Sequence, residues 1–176
     1  GLECGDTMIQ SIGLFWRPDH VYWGAGSNSG KLLGIPANCR SDNPTDFREQ
    51  AGIYVLYSEF RPIYVGQTGS GSQKLLVRRR QHRSDDLAER WDRFSWFGLR
   101  RVLGNNQLSR ENRAAHPEIA LVLNHIEAIL IHAIEPPLNR QGGRFGESVT
   151  RFLQVRDERL GKSVEDMVKE VYERGD

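Results

Sequence analysis

An α+β fold is predicted, in which a small three-stranded antiparallel sheet is flanked by helices, with an N-terminal extension and C-terminal helices. Three observations lead there. Gly52 to Tyr57 alternates, with Ile53, Val55 and Tyr57 on one face and Tyr54 and Leu56 on the other, and Ile63 to Val65 returns after a turn at Ser58–Pro62. Phe94 to Leu103 has the aromatic and β-branched content of a third strand. Pro117 opens a helix whose apolar positions Ile119, Val122, Leu123, Ile126, Leu130, Ile131 and Ile134 form one broad face, and Pro136-Pro137 stops it.

The remaining elements follow in chain order. Residues 1–7 precede Met8 and are set aside from the fold reasoning. Ile12, Leu14 and Phe15, then Val21, Tyr22 and Trp23, suit short strands. Gly24 to Lys31 reads as a glycine-serine surface loop. It is no phosphate-binding loop, because Ala25 stands where the first glycine belongs and Leu32 where a serine or threonine belongs. Lys74 to Arg93 has helical spacing. Residues 104–116 are polar and read as a loop, and Phe145 to Glu173 reads as one or two helices broken at Gly161. The division is then 1–49 as extension, 50–145 as the central domain and 146–176 as a C-terminal helical segment.

With 27% charged residues and a net charge of +1, the composition is that of an ordinary globular chain. Its total charge gives no support to nucleic-acid binding, but its distribution does. Residues 74–101 hold nine basic residues against four acidic ones, a local excess that can follow a phosphate backbone. Lys74, Arg79, Arg80 and Arg83 are the candidate contacts. Cys4 and Cys39 show neither metal-ligand spacing nor a disulfide framework, which fits reduced thiols and a cytoplasmic protein. No apolar run approaches the roughly 20 residues of a membrane span, and no secretory leader is expected.

Six residues form a candidate chemical set. Tyr54 and Tyr64 lie on the paired strands. Arg78 and His82, four apart, share a helix face. Glu127 is a carboxylate on a strongly apolar helix, a costly position unless it is paired, near the surface or bound to a cation. Asn139 follows that helix. Read singly, each has a plain structural explanation: strand aromatics, a surface ion pair, a solvated imidazole, a turn amide. His116, His125 and His132 are taken as structural, and Trp91, Trp96 and Phe97 as core.

In order, however, Gly52-Ile53-Tyr54, Tyr64-Val65-Gly66, Arg78, His82, Glu127 and Asn139 resemble the GIY-YIG endonuclease superfamily, most of all its restriction-type or defence members. The matches span 52–139, about half the chain. The glycine-rich stretch between Gly66 and Arg78 is the one departure. The resemblance implies hydrolysis of DNA phosphodiesters with a single Mg²⁺ or Mn²⁺ on Glu127, hard ions that favour oxygen ligands. It implies Tyr54 as general base or water-positioning group, Tyr64 orienting water or phosphate, and Arg78 on the scissile phosphate. His82 would assist proton transfer and Asn139 fix the geometry. A free phenol titrates near ~10, so the metal or Arg78 would have to favour the phenolate. One such set cuts one strand, which leads to the expectation of a homodimer on DNA. A structure-selective repair nuclease, a nuclease toxin and a non-catalytic nucleic-acid-binding module are the alternatives, and an RNA substrate stays open.

Overall fold

The computed structural model describes residues 9–25, 28–68, 90–110, 125, 129, 132–134 and 149–173. Nine strands lie among them: β1 (Ser11–Trp16), β2 (Tyr22–Ala25), β3 (Asn28–Lys31), β4 (Leu33–Pro36), β5 (Thr45–Asp46), β6 (Gly52–Ser58), β7 (Arg61–Thr68), β8 (Arg93–Gly98) and β9 (Thr150–Gln154). One α-helix, α1 (Val164–Glu173), follows, and His125, Ile129 and residues 132–134 are helical as well.

Seven strands form one mixed sheet in the order β5-β4-β9-β1-β8-β6-β7, and β2 and β3 form a separate two-stranded ladder. The expected three-stranded sheet flanked by helices is therefore overturned. The hairpin and its third strand are present as β7, β6 and β8, but β8 continues antiparallel onto β1, and β1 pairs in parallel with β9. Strands from residues 1–49, 50–145 and 146–176 thus share one sheet.

Two local readings change with it. Gly24 to Lys31 is not a surface loop: Gly24 pairs with Ser29 and Tyr22 with Lys31. A Cβ at Gly30 would run into the backbone of Tyr22 and Trp23, so the glycine that suggested a loop instead permits a close ladder. Thr150 to Gln154 is not helical. Phe152 is buried while Leu153 is 44% exposed, the two-residue alternation of a strand. Five residues carry too little pattern to be told from helix without their neighbours β1 and β4.

The sheet buries apolar side chains on both faces. One face carries Trp16, Phe47, Tyr54, Leu56, Phe94, Trp96 and Phe152. Trp16 meets Trp96 edge-on at 5.3 Å, and Phe47 bridges Trp96 and Phe152 at 4.6 and 4.7 Å. The other face holds Ile9, Ile12, Val55, Tyr57 and Phe97, packed with Ile129 and Ala133. Trp91, Trp96 and Phe97 are core, as expected. His125 is buried too, its Nδ1 accepting from the Ile9 backbone N–H at 3.4 Å.

Gln50 fixes the start of β6. Its buried amide donates to Ser11 Oγ and to the Arg100 carbonyl, both at 2.9 Å, and accepts from the Arg100 N–H at 3.0 Å. Each amide atom is matched, so one buried polar residue ties β1, the end of β8 and the entry to β6 together.

Candidate functional site

Strand register decides where the two motif tyrosines meet. Tyr54 pairs with Gly66 across the β6–β7 ladder, and Leu56 pairs with Tyr64. Tyr54 and Tyr64 are therefore diagonal neighbours on one face, within reach for aromatic rings. Their centroids are 6.0 Å apart and the planes inclined by 30°. Tyr54 is fully buried, whereas Tyr64 is partly exposed at the margin of the aromatic core. Tyr64 is thus the less buried ring of the pair.

The glycines of both motif segments have steric reasons. A Cβ on Gly66 would collide with the Tyr54 ring and its hydroxyl. Gly52 has φ of 152°, and a Cβ there would strike the Phe97 carbonyl oxygen. Gly52 lets β6 lie close on β8, and Gly66 makes room for the Tyr54 phenol on β7.

Next to this end of the hairpin, a recess of about 370 Å³ is lined by Asp46, Arg48, Glu49, Arg100, Asn106, Gln107 and Leu108. Arg100 is held in place by the Ser109 and Glu49 carbonyls at 2.6 and 2.9 Å. Asp46 accepts from the Leu32 and Arg48 backbones and pairs with the Arg48 guanidinium at 3.2 Å. Burial pushes the Asp46 carboxyl up, against the pull of those hydrogen bonds. Leu108, and Val102 bridged to it, pack on the same aromatic core as Tyr64. The sequence reading missed this recess. Its one signal was the polar Asn105-Asn106-Gln107 turn, which is indistinguishable from any solvated loop until Arg100 is placed beside it.

Of the six candidate residues, the structure brings Tyr54 and Tyr64 together. Arg78, His82, Glu127 and Asn139 lie outside the described residues, as do the candidate nucleic-acid contacts Lys74, Arg79, Arg80 and Arg83. Among the described residues no group of three or more His, Cys, Asp or Glu side chains is placed to hold a metal ion. None of the described helices is long and apolar enough to cross a membrane. Comparison with protein families, with curated proteins and with solved structures finds no match to this chain.

Proposed function

We propose that the protein is a divalent-metal-dependent DNA endonuclease of the GIY-YIG type. The observation that carries the reading is the Tyr54–Tyr64 pair. Two phenols stack on one sheet face, and the glycine two residues after Tyr64 is required sterically by Tyr54. The spacing of both motif segments thereby acquires a common geometric reason.

The burial of the two rings refines their roles. Tyr64 is the less buried ring, so it is the phenol assigned to the attacking water or the phosphate. Tyr54, sealed behind it, holds the Tyr64 ring in position. This exchanges the roles that the resemblance alone implies. Arg78 would neutralise charge on the transferring phosphoryl group, and His82 would pass a proton. Glu127 offers the carboxylate oxygens that Mg²⁺ or Mn²⁺ prefers, and such an ion supplies Lewis-acid activation and charge neutralisation. One set of this kind cuts one strand. The Arg100–Gln107 recess offers donors and acceptors beside the tyrosine face for a base edge or sugar–phosphate contact.

The test is cleavage of supercoiled plasmid with Mg²⁺ by the wild type, Glu127→Ala, Tyr64→Phe and, as a folded control, Tyr57→Phe. Nicking or linearisation is expected from the wild type and the control. Tyr64→Phe should lose at least about 100-fold in rate, in line with the loss of a positioned catalytic donor. Glu127→Ala should be inactive. Cleavage by neither wild type nor control, on plasmid, branched DNA or RNA, would leave a non-catalytic nucleic-acid-binding module. The full burial of Tyr54 is the observation that favours that second reading.

A further inference from the structure

We propose that a second copy of this chain covers the apolar stripe of α1, with the helix of each copy seated against the β6–β7 hairpin tip of the other. Val164, Met167, Val168, Val171 and Tyr172 recur at helical spacing, and all are between 47% and 77% exposed. No residue of α1 is buried. Its start is well made: Ser163 Oγ accepts from the Asp166 N–H at 3.1 Å, while the Asp166 carboxylate accepts from the Ser163 N–H at 3.3 Å. Capping alone does not sustain ten residues in water, because helices this short depend on packing of their apolar face. An uncovered stripe on a capped, short helix is therefore half of a contact.

The hairpin tip supplies the other half. Glu59 and Phe60 form its two-residue turn with φ of 49° and 65°. Both are left-handed conformations that usually fall to Asn or Gly in this turn. Phe60 is held there 49% exposed, against Phe15 at 5.6 Å, with the Arg93 guanidinium 5.5 Å from its ring centre. Ile63, 40% exposed, extends the patch along the edge strand β7. A large apolar side chain kept exposed at the cost of backbone strain is better explained by contact than by folding.

Three arguments choose a second copy as the occupant. The first is charge. Residues 164–173 carry four carboxylates and one lysine, and the tip sets Arg61 and Arg93 beside Glu59 and Asp92, a balanced surface that still offers two guanidinium groups to the acidic helix. The acidic helix face also disfavours a nucleic acid or an anionic lipid surface. The second is placement. Trp16 pairs with Phe94 and Tyr57 with Arg93, so the tip lies at the sheet end where β1 finishes. Arg17, next after β1, anchors Glu165 of α1 at 3.6 Å. Both patches thus stand at one end of the molecule, where a two-fold axis makes both contacts at once. The third is area. These seven residues, each 40–77% exposed, leave roughly 750 Å² uncovered per copy, a ceiling that lies close to the ~800 Å² each partner contributes to a standard interface.

The proposal does not rest on the nuclease reading, and its test is a mass. Sedimentation velocity of the full chain, over a concentration series across the micromolar range, is expected to show a dimer. Val171→Glu and Phe60→Gly should each weaken it by at least about 30-fold, as for loss of an interface anchor. Phe60→Gly relieves the turn strain, so at a dilution where both it and the wild type are monomeric its thermal midpoint should hold or rise. Mixing the two variants should restore a heterodimer, since an intact helix then meets an intact tip. A wild-type monomer throughout the series would overturn the proposal. So would a Phe60→Gly variant that remains as dimeric as the wild type, since that outcome would pair helix with helix.

Discussion

Strand β6 places a tyrosine on each face of the sheet, and the two meet opposite circumstances. Tyr54, on the aromatic face, stacks on Tyr64, and Gly66 makes room for its hydroxyl. Tyr57, on the other face, is equally buried, but its hydroxyl makes no well-formed hydrogen bond among the described residues: the nearby Ser95 hydroxyl is taken up by the Phe15 N–H at 2.9 Å and interacts with the phenol only weakly. Burial pushes that phenol up to about 12, with Ser95 pulling weakly the other way. One face is thus arranged around a phenol, while the other merely contains one. A buried aromatic residue is informative about function only when its neighbours have been shaped to its polar end.

Substitutions can break or sharpen this contrast. The largest effect is expected at the glycines. Gly52→Ala forces a side chain into a left-handed conformation and against the Phe97 carbonyl, a backbone atom that cannot swing away. A loss of about 3 kcal/mol should appear in denaturant unfolding. Gly66→Ala presses on the Tyr54 ring, which has some freedom to move. It should cost less, about 1–2 kcal/mol, while abolishing plasmid cleavage through the displaced tyrosine pair. Equal stability losses at both glycines, with cleavage intact at Gly66→Ala, would erase the distinction.

Tyr57→Phe probes the other face. Removing a buried hydroxyl that lacks a well-formed hydrogen bond relieves its desolvation cost, so stability should rise by up to about 1 kcal/mol with cleavage unchanged. A loss of stability would mean that the hydroxyl is satisfied after all.

The smallest effect is a pH dependence of the packing on that same face. Burial holds the His125 imidazole below its ordinary value of 6.5, so the unfolded chain takes up the proton first. Stability should therefore fall as pH drops below about 6.5, and level off once the folded-state value is passed. His20, also lowered by burial, acts in the same direction. His125→Gln should reduce the slope of the thermal midpoint between pH 7 and 5 without abolishing it. Asp157, held low by its hydrogen bond from Arg159, loses its contribution only in more acid solution, so the two windows separate.

By itself, the sequence determined the β6–β7 hairpin with Tyr54 and Tyr64 on its paired strands, the aromatic strand β8 after it, and the core positions of Trp91, Trp96 and Phe97. All of these rest on short-range periodicity, since alternation along a strand and pairing across a tight turn involve residues close in the chain. Tertiary structure alone decided the width of the sheet and the fate of its flanks. β9 is a strand because Ser11–Gly13 and Gly34–Pro36 supply partners for Thr150–Gln154 on either side, more than a hundred residues away. Five residues with one buried phenylalanine carry no local signal strong enough to announce that pairing. The same holds for the site. Spacing put Tyr54 and Tyr64 on paired strands, but the register shift between Leu56 and Tyr57 brought them to one face, and the depth of the core decided which ring is the less buried, because burial depends on everything packed around it.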